Sequence, residues 1–308
     1  MIDNRLHMLQ MVAHYGTITA AAEAMRYTPS TVSHQIGRLS RELEVTLLEQ
    51  QGRRVHLTSA ARNLLAHVEK MDAQWHQARA ELDIHTEKVR GTLTLCGFST
   101  AASVLLPATM SSLGTEFPDL RTHAIEAQPV ECYDLLLSGE ADVAVVMITA
   151  ETPPRSDPRF TQKHLIEDPL DLLVPRGHPL AGRAGVSLRE LSDESWIIGR
   201  PGGTYHHLVT NACVAAGFTP EVAHYADEWE TGTALVAAGF GVCLVSRIAR
   251  WPDQHPVVRI PLRGEHTPAR QIAVVTKAGA ETRRTIHFAV ASLSDTARSL
   301  TESLAAGH

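Results

Sequence analysis

Thr28-Pro29-Ser30-Thr31-Val32-Ser33-His34-Gln35-Ile36-Gly37-Arg38-Leu39-Ser40-Arg41-Glu42-Leu43 is the stretch whose reading decides the N-terminal fold. A threonine followed by proline is a helix start. The hydroxyl caps a free N–H, and proline at the first helical position gives up a donor that has no partner there. Val32, Ile36, Leu39 and Leu43 recur at helical spacing and predict a buried stripe. The other face carries Pro29, Ser30, Thr31, Ser33, His34, Gly37, Arg38 and Arg41. Small hydrogen-bonding groups at a helix start, with cations further along, suit a helix whose N-terminal part enters a DNA major groove. A three-helix bundle with a solvated polar face would show the same pattern.

Upstream, Leu6, Leu9, Val12 and Ala13, widened by Met8 and Met11, predict a first helix that stops at Gly16. Thr17 or Thr19 caps a short helix over Ala20–Met25, and Arg26-Tyr27 makes the turn. Downstream, Leu47–Gln50 and Val55–Leu57 flank Gly52-Arg53-Arg54. That is a hairpin with Arg53 and Arg54 at its tip, a wing able to reach phosphates or the minor groove. Thr58 then caps a long helix. Ala61, Leu64, Val68, Met71, Trp75, Ala78 and Leu82 alternate spacings of three and four along it. Such a seam pairs two subunits, here through Leu64, Val68, Met71 and Trp75, or packs on its own domain. Lys88-Val89-Arg90-Gly91 ends the helix as a hinge.

The ordered pattern Leu6, Val12-Ala13, Gly16-Thr17-Ile18-Thr19, Ala21-Ala22, Thr28-Pro29-Ser30, Val32-Ser33, Ile36, Leu39, Leu43, Leu47-Leu48, Arg53-Arg54, Leu57-Thr58 resembles the N-terminal domain of LysR-type transcription regulators. Four positions depart from it: the family commonly has Glu at Ser40, Gly at Glu44, Arg at Gln50 and Gly at Ala61. The loss of an arginine at Gln50 should weaken phosphate contacts.

The remainder alternates strands and helices. Strands at Thr92–Cys96, Thr122–Glu126 and Ala141–Met147 enclose helices at Ala101–Leu113, interrupted by Pro107, and Val130–Leu137. This order predicts an α/β domain with a parallel sheet. Further strands are expected at Leu170–Val174, Trp196–Ile198, Glu221–Tyr225, Val242–Val245, Val257–Ile260 and Gln271–Val275. Helices are expected from Leu188 (capping box Ser187…Glu190), over Tyr205–Ala216, Glu230–Ala238 and Thr282–Leu300. Leu105-Leu106-Pro107, Phe117-Pro118-Asp119-Leu120, Gly139–Ala144, Gly177–Ala181 and Leu235–Val242 extend the resemblance over nearly the whole chain. Ser246 stands where proline is frequent.

The resemblance implies a winged helix-turn-helix domain at 1–58, a linker and dimerisation helix at 59–90, and a two-lobed effector domain at 91–308 similar to periplasmic binding proteins. Crossovers near 164 and 266 would give a first lobe of about 91–163 and 267–308 and a second of about 164–266. The implied partners are double-stranded DNA, a small-molecule effector and further copies of the chain, as homodimer or homotetramer.

Composition fits this reading without demanding it. The 308 residues suggest two domains, with 44% hydrophobic and 20% charged residues. Neither a membrane span nor a secretory signal is visible, so a cytoplasmic location is expected. A net charge of −6 does not by itself announce a nucleic acid partner. Cys96, Cys132, Cys213 and Cys243 form no CxxC and read as buried, reduced thiols, with a redox pair as the alternative. The 17 histidines show no metal spacing, and no phosphate-loop, nucleotide or nucleophile-elbow motif appears. Neither cofactor nor catalysis is expected. An α/β hydrolase or transferase, and a ligand binder that has lost DNA binding, are the competing readings.

Ligands of open α/β sheets sit at the carboxyl ends of strands. Four such ends carry suitable groups: Ser99-Thr100, Gln128, Ile148-Thr149 and Gly202-Gly203-Thr204. The resemblance independently puts effector contacts there. Free N–H groups at the helix starts of Ser99 and Thr204 would favour a carboxylate; equally, both residues could simply cap helices. Glu228 and Glu230 are expected near the second-lobe rim, where either would suit an amine. His206 and His207 read as surface residues.

Overall fold

The computed structural model describes residues 3–51, 54–83, 89–250, 255–265 and 267–306. Helix α1 (Asn4–Tyr15) ends on Gly16, whose φ of 71° is the left-handed conformation that glycine adopts without cost. Helix α2 (Ile18–Ala24) is capped by Thr17, whose Oγ1 accepts from the Ala20 N–H at 3.1 Å. Helix α3 (Pro29–Glu42) is capped by Thr28, whose Oγ1 accepts from the Thr31 N–H at 3.2 Å. Strands β1 (Leu48–Gln51) and β2 (Arg54–Leu57) form an antiparallel hairpin with Leu48 opposite Leu57. Arg53, expected at its tip, lies outside the described residues. Met8, Leu9, Met11, Val12, Val32, Ile36, Leu39 and Leu47 form the small core. Leu43 does not join it. The helix stops one residue earlier, and Leu43 is 44% exposed.

Helix α4 (Ser59–Asp83) starts under Thr58, whose Oγ1 accepts from the Ala61 N–H and donates to the Thr46 carbonyl. Its first turns give Ala61 and Leu65 to the N-terminal core.

The C-terminal part opens with β3 (Gly91–Gly97), α5 (Ser99–Val104), α6 (Leu106–Glu116), β4 (Leu120–Glu126), α7 (Pro129–Ser138) and β5 (Val143–Met147). Strand β6 (Phe160–Pro175) follows, then β7 (Ser195–Ile198), α8 (Thr204–Ala215), β8 (Glu221–Tyr225), α9 (Trp229–Ala237), β9 (Cys243–Ser246), β10 (Val257–Ile260), β11 (Ala269–Lys277) and α10 (Arg284–Ala306). The interruption expected at Pro107 divides this region into α5 and α6, with Pro107 in the first turn of the second, where its missing N–H is harmless. The helix expected from Leu188 is one 3-10 turn, Leu188–Leu191, with its Ser187–Glu190 box intact.

The sheet runs β10-β6-β11-β5-β3-β4, with β9 also on β6. Strand β3 is parallel to β4 and β5, as the β-α-β-α-β order requires. Strand β11 returns antiparallel to both β5 and β6, so the sheet is mixed. The crossover expected near 164 is no break. Strand β6 continues for 16 residues, pairing with β11 up to Pro169 and with β9 and β10 from Leu170 onward. Its two halves belong to two cores. One gathers Leu93, Leu95, Leu105, Leu113, Val145, Ile272 and Leu293; the other gathers Leu170, Leu172, Trp196, Val209, Leu244 and Ile260. The two lobes therefore share strand β6.

Candidate functional site

The first candidate surface is α3. Val32, Ile36 and Leu39 point into the core, which forces the intervening residues outward. Pro29, Ser30, Ser33, His34, Gly37, Arg38 and Arg41 are exposed and Thr31 is half-buried. The cap organises the entry: Thr28 Oγ1 lies 2.9 Å from Ser30 Oγ and 2.8 Å from Thr31 Oγ1. Arg5 ties the far end down, bonding Glu42 at 2.5 Å, which pulls the Glu42 carboxyl below its ordinary range. The result is a rigid helix whose exposed face begins with hydroxyls and ends with guanidinium groups. Arg54 begins β2 opposite Gln51.

The seam on α4 is divided. Val68 is fully buried within its own chain and Leu64 packs on the N-terminal core, so Val68 has no surface left for a partner. The heptad pattern misread this turn because Ala61, Leu65 and Val68 follow the helical stripe that packs inward. Met71 and Trp75 are 42% exposed and Leu82 is 65% exposed. The outward apolar stripe thus occupies only the later turns.

The second candidate is the cleft between the lobes, of about 610 Å³. Ser99, Thr100, Gln128, Gly203, Thr204 and Glu228 all line it. Thr149 does not. The chain turns after β5, Thr149 Oγ1 accepts from the Glu151 N–H at 3.2 Å, and the residue lines a separate pocket with Ile148 and Thr152. Gln128 and Gly203 hold the cap positions of α7 and α8, so the N-termini of these helices face the space. Ser99 is the first residue of α5 rather than its cap, which is Phe98. His206 Nδ1 lies 3.0 Å from the Gly199 carbonyl, a structural contact.

The floor of the cleft was not foreseen. Arg270 of β11 lies opposite Asp168 of β6 and is 5% exposed, while Asp168 is fully buried. Arg270 donates to Asp168 Oδ2 through Nε at 2.8 Å and Nη2 at 2.5 Å, to Ser246 Oγ at 2.6 Å and to Thr100 Oγ1 at 3.4 Å. Ser246 in turn donates to Asp168 at 2.8 Å. At the family's frequent proline position, this chain thus places a hydroxyl that closes a buried network. Trp229 of α9 donates its indole N–H to Thr100 Oγ1 at 3.1 Å, joining second lobe to first across the opening. The guanidinium carbon of Arg270 stands 5.2 Å from the Phe98 ring and 5.7 Å from that of Trp229. Tyr205 packs edge-on against Trp229 and donates to the Leu244 carbonyl. Arg200 and Asp227, paired at 2.6 Å, complete the rim. The only sequence signal for Arg270 was a cation inside a strand that otherwise reads apolar.

All four cysteines are buried and unpaired. Burial pushes the thiols of Cys213 and Cys243 up to about 12, and the neighbouring Cys132 raises that of Cys96. At Cys96, Cys213 and Cys243 these surroundings disfavour the reactive thiolate. Among the described residues no His, Cys, Asp or Glu cluster is placed to hold a metal ion, and no helix is long and apolar enough to cross a membrane.

Comparison with known proteins agrees with this geometry. Residues 4–62 match the bacterial regulatory helix-turn-helix family of lysR type, and residues 86–298 match the LysR substrate binding domain. The transcriptional dual regulator GltC of Bacillus subtilis is 30% identical over 70% of this chain and 71% of its own. The dual regulator OxyR of Escherichia coli K12 is 27% identical over 90% of each chain. Among solved structures, a Corynebacterium glutamicum OxyR C206 mutant has a TM-score of 0.61 at 22% identity, covering 99% of this chain and 94% of that one. Full-length BenM has a TM-score of 0.56 at 21% identity, covering 97% and 96%. The chain belongs to the LysR family: it is a DNA-binding transcription regulator with an effector-binding domain.

Proposed function

We propose that the effector is a small carboxylate-bearing metabolite held in the inter-lobe cleft and touched by Ser99, Thr100, Gln128, Gly203 and Thr204. The observation that carries this is the convergence of the α7 and α8 N-termini on one cleft floored by Arg270. Free N–H groups and the helix dipoles favour negative charge there. The cations offer less than their number suggests, because Arg270 is engaged by Asp168 and Arg200 by Asp227. Glu228, exposed at the rim, would meet an ammonium, so amino acids fall within the class. A ligand touching Thr100 competes with the Trp229 indole, and this would change the angle between lobes. Only a ligand that binds one angle more tightly shifts the balance.

A thermal-shift panel of 2-oxo acids, amino acids and the corresponding amides, which lack only the carboxylate charge, tests the class, since a ligand of the folded state raises the melting temperature. Carboxylates should stabilise and amides should not. Calorimetry on a hit should show Thr204→Ala and Ser99→Ala weakening it about fivefold each, the equivalent of ~1 kcal/mol. Stabilisation by the amides alone would sink the carboxylate, and unchanged affinity in both variants would sink the cleft.

The remaining assignments follow the same surfaces. Ser30, Thr31, Ser33, His34 and Arg38 meet the major groove behind the Pro29 start, and Arg53 and Arg54 meet the backbone or minor groove. The domains divide at 58 and 90. Subunits pair as at least a homodimer through Met71, Trp75 and the adjoining turns of α4. The protein works in the cytoplasm by binding rather than turnover. Some relatives are named hydrogen peroxide-inducible gene activators. The burial of all four thiols of this chain favours a metabolite over an oxidant as its signal.

A further inference from the structure

Helix α4 does not stand clear of the effector domain. Gly279, with φ of 82°, packs so tightly on it that a Cβ there would lie 2.4 Å from the Ala73 carbonyl. The chain then turns at Ala280–Thr282 against the same helix. The N-terminal domain joins this contact. His14 Nε2 lies 2.5 Å from Asp134 Oδ1 of α7, and its Nδ1 lies 3.3 Å from an Arg159 nitrogen. A guanidinium can only donate, so Nδ1 accepts and Nε2 carries the proton toward Asp134. Arg26 reaches Glu140 at 3.2 Å.

Inside this three-way junction is a cavity of about 60 Å³, room for a few waters. From α1 it is lined by His7, Gln10 and Met11, from α4 by Glu69, Asp72 and His76, and from the first lobe by Arg159 and Lys277. Lys277 donates to the Leu137 carbonyl at 3.0 Å, and Gln10 donates to Asp72 at 3.1 Å. His76 Nδ1 is buried without a hydrogen-bond partner among the described residues. Two imidazoles thus face one largely buried ammonium, at a place where DNA-binding domain, linker helix and effector domain meet.

We propose that this junction is a proton-gated latch: protonation of His7 and His76 beside Lys277 releases the N-terminal domain and α4 from the first lobe. Burial first, and the Lys277 charge second, disfavour the imidazolium form of both residues while the junction is closed. Asp72 opposes this at both histidines. Arg283 and Arg79 reinforce it at His76. Arg159 is tied to Asp157 at 2.7 Å, which leaves its charge largely compensated. In the open form both imidazoles return to an ordinary value near 6.5. The closed form therefore binds fewer protons. Docking has its full strength above about pH 6.5 and weakens as pH falls below it, by up to about tenfold per histidine per pH unit. Glu69 runs the other way, since burial raises its carboxyl above the ordinary glutamate value. The latch is independent of what fills the inter-lobe cleft.

Hydroxyl-radical footprinting of the full chain reads the latch through its methionines. Met11 lines the cavity and is 1% exposed, while Met110 on α6 is half-buried against the first-lobe core away from the junction and serves as the internal standard. The Met11-to-Met110 labelling ratio should rise several-fold between pH 7.5 and pH 5.5. Gly279→Val should raise it at both pH values by prising α4 away. The double variant His7→Gln/His76→Gln should be flat with pH. Lys277→Met, which keeps both histidines, should shrink the step. A flat wild type, a full step in either the double variant or Lys277→Met, or a Gly279→Val ratio no higher than wild type would each overturn the proposal.

Discussion

The exposed face of α3 and the floor of the inter-lobe cleft are both polar, yet they are built on opposite terms. On α3 the serines, His34 and Arg38 stand in water on a helix held from behind by Val32, Ile36 and Leu39. In the cleft Asp168, Arg270, Ser246 and Thr100 are buried and bonded to one another. Solvated groups cost nothing to leave unpaired and are free to meet phosphates and base edges. Buried ones must satisfy each other before any ligand arrives. The DNA surface is a display, and removing one of its members should leave the fold intact. The cleft is a network, and removing one of its members should loosen the lobes.

The sharpest way to break this contrast is to make the same substitution in both places. Arg270→Ala leaves Asp168 charged, fully buried and without its partner, which should cost about 3–5 kcal/mol. Arg38→Ala should change stability by less than about 0.5 kcal/mol, as for most exposed positions, while lowering DNA affinity and reducing its salt slope by about one. Replacing both buried partners with apolar residues, Asp168→Leu with Arg270→Met, should recover most of the loss. Thermal melts of the effector-domain transition and salt-dependent gel shifts decide it. Equal destabilisation by the two arginine variants would erase the distinction between display and network.

The same contrast explains what could be read in the sequence. The α3 face was legible because a helix repeats every 3.6 residues, so Thr28-Pro29 and the Val32–Ile36–Leu39 stripe fix which side faces outward. Cleft residues at strand ends, Ser99, Gln128 and Thr204, were legible because parallel β-α units point those ends the same way. Arg270 and Trp229 were not, since no local spacing says that β11 will lie antiparallel on β6 or that α9 will reach Thr100. Thr149 was misplaced because the strand-end rule cannot see that the chain folds into a turn immediately after β5. Val68 was misassigned because heptads and amphipathic stripes share their first few positions. The closure of α4 onto Gly279 left no sequence mark beyond the glycine itself.

A smaller effect sharpens the DNA side. Thr28 caps α3 and also holds Ser30 and Thr31 by their hydroxyls. Thr28→Ala should cost about 1 kcal/mol locally. It should also weaken specific DNA binding, because the first turn that carries the proposed base contacts frays. Hydrogen exchange across α3, compared with gel shifts on specific and random DNA, separates the two consequences. Loss of protection without any loss of specificity would mean that the first turn does not read bases.

The smallest expected effect improves the protein. Glu44 follows α3 with φ of 55°, a left-handed conformation, at a position where the family commonly has glycine. For a residue with a Cβ that conformation costs roughly 1–2 kcal/mol. Glycine removes the strain but has more backbone freedom to lose on folding, which takes back about 0.5–1 kcal/mol. The strain term is larger, so Glu44→Gly should stabilise the end of α3 by about 0.5–1 kcal/mol, a two- to fivefold gain in protection of its last amides against exchange. Glu44→Ala is the control, because it removes the carboxylate but keeps the Cβ. An equal gain from alanine would trace the effect to charge beside Arg41 and Glu42 rather than to the backbone. A loss with glycine would show that the turn between α3 and β1 holds its shape without strain, and that this departure from the family pattern is neutral for the surface that meets DNA.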